Sequence, residues 1–387
     1  MKARKIKEGI YWVGAIDWNI RNFHGYLTQM GTTYNAYLII DEKITLIDSV
    51  KPNLSEEMFR RISDIIDPSK IDIVVSLHTE MDHSGAIPMV MEKATNASLY
   101  CSPNGEKGLK AHYKKDWNFV VVNPCEPLNI GKRNLHFLLT PMVHWPDNMV
   151  AYIPEEKMLF SNDAFGQHLS SSERIDYEYP LETILQEAKK YYANIVLPYS
   201  KPVLKVLEEV DKLDIEYIAT SHGIIWKDHI KEIIAEYKKW ASNSVDKKAV
   251  IIYDTMWHST EKIAYAIQSA FESKGYNTVF CNLQNNHISD IMTDLINAEY
   301  ICVGSPTLNH NMMPNVAGFL TYMSGLAPKG RKAVSFGSYG WGGQSINQVT
   351  ESLEQAGFEI VASYKLKYIP SPDELKCIEN DLIEKIH

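Results

Sequence analysis

Cysteine is scarce in this chain. Cys101, Cys125, Cys281, Cys302 and Cys377 are the only five in 387 residues, odd in number, widely separated and without a C-x-x-C pair. This spacing excludes a disulfide scaffold and points to a reducing cytoplasm. It also leaves no place for a thiolate-bound iron–sulfur cluster, so a chain needing electrons would take them from a separate donor.

Long apolar runs are missing as well. No stretch approaches the roughly 18 residues of a spanning helix, and the basic start Met1-Lys2-Ala3-Arg4-Lys5-Ile6-Lys7 has no apolar segment of the signal-peptide kind. Positive charge is the minority sign, with 39 Lys and Arg against 48 Asp and Glu and a formal charge of −9. With no basic stripe, a nucleic-acid partner is not expected. The absence of a Walker lysine and of G-x-G-x-x-G argues against ATP and dinucleotides. The remainder is an ordinary globular composition, 45% hydrophobic and 22% charged, in a chain long enough for two domains.

The first 246 residues mix short strands with helices. Thr33–Ile40 and Ile44–Asp48 flank the turn Asp41-Glu42-Lys43 as a hairpin, and helical spacing runs from Ser55 to Ile66. Further strands are expected at 97–101, 119–122, 135–139, 149–153, 158–161 and 217–220, with helices at 181–192, 203–213 and 231–240. The polar segment Ala241–Lys248 has no apolar periodicity, and the domain boundary is expected there, giving units 1–246 and 247–387. After it, five short apolar strands alternate with helices over about 140 residues, which describes a doubly wound parallel sheet.

The densest chemistry lies in Ser76-Leu77-His78-Thr79-Glu80-Met81-Asp82-His83-Ser84-Gly85, directly after the strand-like run Ile71–Val75. Four metal-competent side chains fall within six residues. Any one of them reads equally well as a solvated loop residue, whereas all four together read as a metal site. The H-x-E-x-D-H spacing resembles the signature of the metallo-β-lactamase fold, with Glu80 replacing the second histidine of the usual H-x-H-x-D-H. A carboxylate there makes the site harder and more anionic, suiting iron better than a zinc-hydroxide hydrolase site. In this form the motif is similar to that of the flavodiiron proteins.

That resemblance implies an αββα metallo-β-lactamase-like sandwich followed by a flavodoxin-like domain. It also implies a non-haem diiron site. His144 in Pro141–Asp147, Asp163 in Phe160–Gly166 and His222 in Thr220–Gly223 match the family in surroundings and order. By resemblance, His78, Glu80 and His144 hold one iron, Asp82 and His222 the other, and Asp163 bridges them. His83 fits either iron ligation or a place just behind the ligands. His24, Tyr26 and Tyr199 look like pocket residues able to donate hydrogen bonds to bound oxygen species, or equally like packing residues.

In the second half, Thr255-Met256-Trp257-His258-Ser259-Thr260 lies between a strand and a helix start. Its three hydroxyls and backbone N–H groups make an anion cradle, and it resembles the FMN-phosphate loop of flavodoxins. Two later loops, Ser305 with Pro306, Thr307, Leu308, Asn309 and His310, and Ser338, Tyr339, Gly340, Trp341, Gly342 with Gly343, stand at strand carboxyl ends where ligands of such sheets sit. They would flank the flavin ring.

The resemblance thus implies an oxidoreductase that passes electrons from an external donor, rubredoxin or reduced F420, through FMN to two iron ions. Its substrates would be O₂, reduced to water, and NO, reduced to N₂O. It further implies a head-to-tail homodimer or a dimer of dimers. The rival readings are a zinc hydrolase fused to a flavodoxin-like domain, which Glu80 and Asp163 disfavour, and a flavin-sensing module with a vestigial metal site.

Overall fold

The computed structural model describes residues 1–326 and 328–386, and the chain divides into two compact units. The first comprises Met1–Tyr191 and Lys201–Lys238; the second comprises Tyr192–Ser200 and the chain from Lys239 onward.

Two sheets build the first unit. One has seven strands in the order Arg4–Lys7, Ile10–Trp12, Tyr37–Ile39, Thr45–Ile47, Ile73–Val75, Ser98–Cys101 and Phe119–Val121. The other has five, Leu128–Asn129, Asn134–Leu139, Met149–Ile153, Met158–Asn162 and Tyr217–Thr220. Side-chain alternation sorts each strand between two cores: Ile73 and Val75 join the core shared by both sheets, while Val74 joins another beneath the helices Ser55–Ile62, Ile87–Lys93 and Pro103–Tyr113. A strand buried on both faces needs the unbroken apolar run seen here. Each such side chain contributes about 1.5–3 kcal/mol on burial. On the outer face of the second sheet, Val150 and Leu159 pack with Val210 and Ile234 from the helices Ser200–Val210 and Ile230–Ala241. The layer order is therefore αββα.

This topology gathers three loops on strand carboxyl ends. Ile73–Val75 runs parallel to both Thr45–Ile47 and Ser98–Cys101 and empties toward His78. Met158–Asn162 runs parallel to Tyr217–Thr220, so Asp163 and His222 follow neighbouring ends. The register slips between Phe160 and Asn162, and Asn162 takes φ 58°, an irregularity that re-aims the next side chain.

The first hairpin is shorter than its sequence suggests. Thr32–Tyr34 pairs with Ala15–Asp17, and only Tyr37–Ile39 pairs with Thr45–Ile47. The break falls at Asn35, whose side chain accepts from Trp12 Nε1 at 2.8 Å and donates to the Thr220 carbonyl at 2.8 Å.

The second unit carries one five-stranded sheet, entirely parallel, in the order Asn277–Asn282, Asp246–Tyr253, Ala298–Gly304, Lys332–Tyr339, Glu359–Lys367. That is the flavodoxin order 2-1-3-4-5. Two helices add to those expected, Ile288–Leu295 and Pro372–Lys385, the second started by a reciprocal capping box of Ser371 and Glu374. The unit starts at Lys239 rather than at the expected 247. Trp240 packs on Tyr192 at 5.4 Å, and Asn243 accepts from the buried Arg331 guanidinium at 2.9 Å. Within the same unit Asn194 donates to the Ser289 carbonyl at 3.0 Å and accepts from Tyr322 at 2.8 Å. No helix among the described residues is long and apolar enough to cross a membrane.

Candidate functional site

The H-x-E-x-D-H stretch is an extended loop closed by one helical turn, Met81–Ser84. That turn separates the four side chains into two groups. His78, Glu80, His144 and Asp163 form one, and Asp82, His83 and His222 the other. In the first, His78 Nε2 is 3.7 Å from Glu80 Oε2 and 3.3 Å from Asp163 Oδ2, and His144 Nε2 is 3.5 Å and 3.0 Å from the same two oxygens. In the second, Asp82 Oδ2 lies 3.2 Å from His83 Nε2 and 3.3 Å from His222 Nε2. Asp163 serves both: its Oδ1 is 3.1 Å from His83 Nε2 and 3.6 Å from His222 Nε2.

These distances are those of atoms aimed at common points. Among the described residues, the buried His78 Nε2, Asp82 Oδ1 and Asp163 Oδ1 find no hydrogen-bond partner, an arrangement that native interiors avoid unless something else satisfies the atoms. His222 donates Nδ1–H to the Thr33 carbonyl at 2.7 Å, which turns the lone pair of Nε2 toward the group. Imidazole nitrogens with carboxylate oxygens and no thiolate are a donor set that fits iron. The residues present therefore fit two metal ions sharing one carboxylate.

The charges interlock. Burial disfavours a charged imidazole at His78, but the neighbouring Asp163 carboxylate pushes that imidazole up to about 10. Burial likewise opposes charge at His83, which Asp82 and Asp163 hold protonated well above its ordinary range. Burial would raise Asp163, and His78 and His83 outweigh it and hold the carboxyl well below the usual range. Without metal, His78 and His83 carry protons while Asp163 stays a carboxylate.

A cavity of about 530 Å³ opens on Glu80 and Asp82 between Phe23, Lys51, His112 and Trp145. His24 lines it, with Nε2 3.5 Å from Glu80 Oε1. Tyr26 is buried one layer away, its ring 5.1 Å from His168. Tyr199 belongs to the second unit. Two tyrosine rings stand beside His222, Tyr34 at 5.6 Å and Tyr191 at 5.8 Å. Sequence reading missed Tyr191, Thr32 and His168. The only signal for His168 was its nearness to Asp163 in the chain.

The second unit has a cavity of about 670 Å³ at the carboxyl edge of its sheet. Of the expected loop residues, Met256, Trp257, Ser259, Pro306, Thr307, Asn309, His310, Ser338, Tyr339, Gly340 and Trp341 line it, joined by Tyr368 and Ile369. Thr255 is buried with its hydroxyl unpartnered, and Thr260 bonds Ser338 at 3.1 Å. Both flank the start of the long helix Ser259–Ser273, where unbonded N–H groups of the first turn and a hydroxyl are the donors a phosphate takes. His258 takes φ 61°, and its imidazole bonds Glu261 instead at 2.7 Å. Leu308 closes a small bridge with Asn311, and Gly342 supplies the left-handed turn ahead of the helix Gln344–Gln355. Trp257 and Trp341, 85% and 77% exposed, stand at the rim. This is a pocket that fits FMN.

An αββα sandwich with a paired imidazole–carboxylate centre, carried on one chain with a flavodoxin fold, defines a two-cofactor flavoprotein. Residues 32–223 match the ODP family beta lactamase and residues 251–380 match flavodoxin. The chain is 43% identical over 382 residues to a nitric oxide reductase of Moorella thermoacetica, covering 97% of this chain and 96% of that one. Among solved structures it is similar to rubredoxin oxygen:oxidoreductase from Desulfovibrio gigas, with TM-score 0.95, 40% identity and coverage of 98% and 96%. The flavodiiron protein of Giardia intestinalis superposes with TM-score 0.96 at 34% identity, covering 99% and 96%. The chain belongs to the flavodiiron proteins.

Proposed function

We propose that this flavodiiron protein takes electrons from an external donor at FMN and uses them at the diiron centre to reduce O₂ to water, NO to N₂O, or both. Paired ferrous ions supply the electrons and the Lewis acidity for this chemistry. The observation that carries the reading is Asp163, which turns one carboxylate oxygen toward each donor group. We assign His78, Glu80 and His144 to one iron, and Asp82, His83 and His222 to the other. His83 is included because its Nε2 stands as close to Asp82 and Asp163 as that of His222 does. His24 at the cavity mouth can present a proton beside Glu80, while Phe23 and Trp145 narrow the approach of water.

In the second unit, Thr255, Ser259 and Thr260 bind the flavin phosphate, and Trp341 and Tyr339 bracket the ring. The donor is a separate carrier, rubredoxin or reduced F420, since the five cysteines are all unpaired and far apart in sequence. Their free state also supports a reducing cytoplasm. Zinc hydrolysis, the rival, is not favoured by relatives that are reductases.

We further place the protein in a head-to-tail homodimer, itself able to pair again, on the strength of the exposed aromatic rim around the flavin pocket. Mixing a His78→Ala chain with a Ser259→Ala/Thr260→Ala chain would then restore part of the activity. The function itself is tested by giving the anaerobically reduced protein O₂ and NO separately and following flavin reoxidation. Zinc as the sole metal, with ester or thioester hydrolysis and no reoxidation, would overturn it.

A further inference from the structure

We infer that His168 is a positioning residue that controls which nitrogen of His222 carries the proton, acting through the single hydroxyl of Thr32; the inference rests on the diiron reading. His222 can bind metal through Nε2 only if Nδ1 holds the hydrogen. The Thr33 carbonyl accepts that hydrogen at 2.7 Å. A second group competes for the same nitrogen: Thr32 Oγ1 lies 3.4 Å from His222 Nδ1. A hydroxyl can donate as well as accept. Were Thr32 to donate there, the proton of His222 would move to Nε2 and block its lone pair.

His168 removes that alternative. Its Nδ1 is 2.8 Å from Thr32 Oγ1, the nearer of the two imidazoles. When His168 Nδ1 accepts, the hydroxyl proton is committed to it. When Nδ1–H donates, it occupies one oxygen lone pair, and the hydroxyl proton goes to the Thr33 carbonyl, 3.3 Å away. In the first arrangement, and in the second with the hydroxyl directed at Thr33, Thr32 faces His222 Nδ1–H as an acceptor. Among the described residues nothing else holds the His168 ring by hydrogen bonds: it is fully buried and its Nε2 makes none. Phe23, Tyr26 and Tyr191 close around it with ring centroids 5.0 to 5.1 Å away, and His222 is at 4.9 Å. A polar ring placed in an aromatic cage with one hydrogen bond, to Thr32, is spent on orienting that hydroxyl.

The test is anaerobic titration of the iron-free full-length protein with ferrous iron, with Mössbauer spectra of the loaded forms. His168→Phe keeps a flat ring in the cage but frees the hydroxyl proton, and the second ferrous ion should bind roughly ten- to a hundredfold more weakly. Adding Thr32→Val deletes that proton, so His168→Phe/Thr32→Val should bind more tightly than His168→Phe alone and recover a wild-type-like spectrum. Loss of packing alone could not be repaired in this way. His168→Asn, which keeps a polar group at the Nδ1 position, should stay within about threefold of wild type. Wild-type affinity in His168→Phe, failure of the double variant to recover, or a His168→Asn as weak as His168→Phe would each overturn the inference. If the unaltered protein does not take up two ferrous ions, the diiron reading itself has failed instead.

Discussion

Nε2 of His83 stands 3.1 Å from Oδ1 of Asp163, the oxygen opposite the one that faces His78 and His144. One carboxylate thereby joins two ligand groups that are otherwise separate. Replacing it by a neutral amide of the same size leaves each group with an incomplete donor set. Asp163→Asn is expected to retain less than about one iron per chain after desalting, with its FMN content unchanged. Iron and flavin analysis on the same sample checks this, and two firmly bound irons would place the bridge elsewhere.

Protons and metal compete for the same nitrogens. At pH 7 the metal-free protein holds His78, pushed up to about 10, and His83, raised well above its usual value, in the charged form. Ferrous iron should therefore release about two protons per chain in weak buffer at pH 7. Apparent iron affinity should rise with pH until His78 titrates near 10. The same shift makes the His78 contribution to metal-free stability fully present below about pH 6.5, and lost as pH rises through the folded value. A pH-stat titration that records no proton release would contradict this.

Flavin binding should depend on the hydroxyls of the loop after Asp246–Tyr253. A hydrogen bond to a charged group contributes about 1.5–3 kcal/mol. Thr255→Val, which removes a buried hydroxyl that has no partner among the described residues, should weaken FMN roughly ten- to a hundredfold while leaving the fold intact. Fluorescence titration of the flavin-free protein reads the change. An unchanged affinity, or a preference for FAD, would mean that the phosphate lies elsewhere.

Fragments of the second unit should differ in stability according to where they start. Arg331 is buried, with burial lowering its guanidinium to about 10, and its Nη2 bonds Asn243 Oδ1 at 2.9 Å. A fragment beginning at residue 247 loses that acceptor together with Trp240. One beginning at 239 keeps both, and should be more stable by about 1–3 kcal/mol in urea unfolding. Equal midpoints would show that Asn243 contributes nothing.

What the sequence determined by itself was local. Ile71, Ile73 and Val75 alternate as apolar residues on one face with Val74 on the other, and the H-x-E-x-D-H run follows within reach of a single loop. Periodicity of this kind specifies a buried strand wherever it lands, and a short-range motif needs no knowledge of the fold. The same holds for the five alternating strands after residue 246 and for the hydroxyl loop at the first of them. Pairing across long separations was decided only in three dimensions. His83 joins Asp82 and His222, rather than pointing away, because the helical turn Met81–Ser84 rotates it toward a strand end reached 139 residues later. His168, Thr32 and Tyr191 carry no motif, and they meet at His222 from three separate places: the strand Thr32–Tyr34, the loop after Met158–Asn162 and the end of the helix Leu181–Tyr191. The unit boundary was hidden for a related reason. Tyr192–Ser200 is as apolar as a segment of either core, and composition cannot say which core accepts it. The bonds of Asn194 to Ser289 and Tyr322 place it with the second unit, since a buried amide must find partners where the backbone offers them.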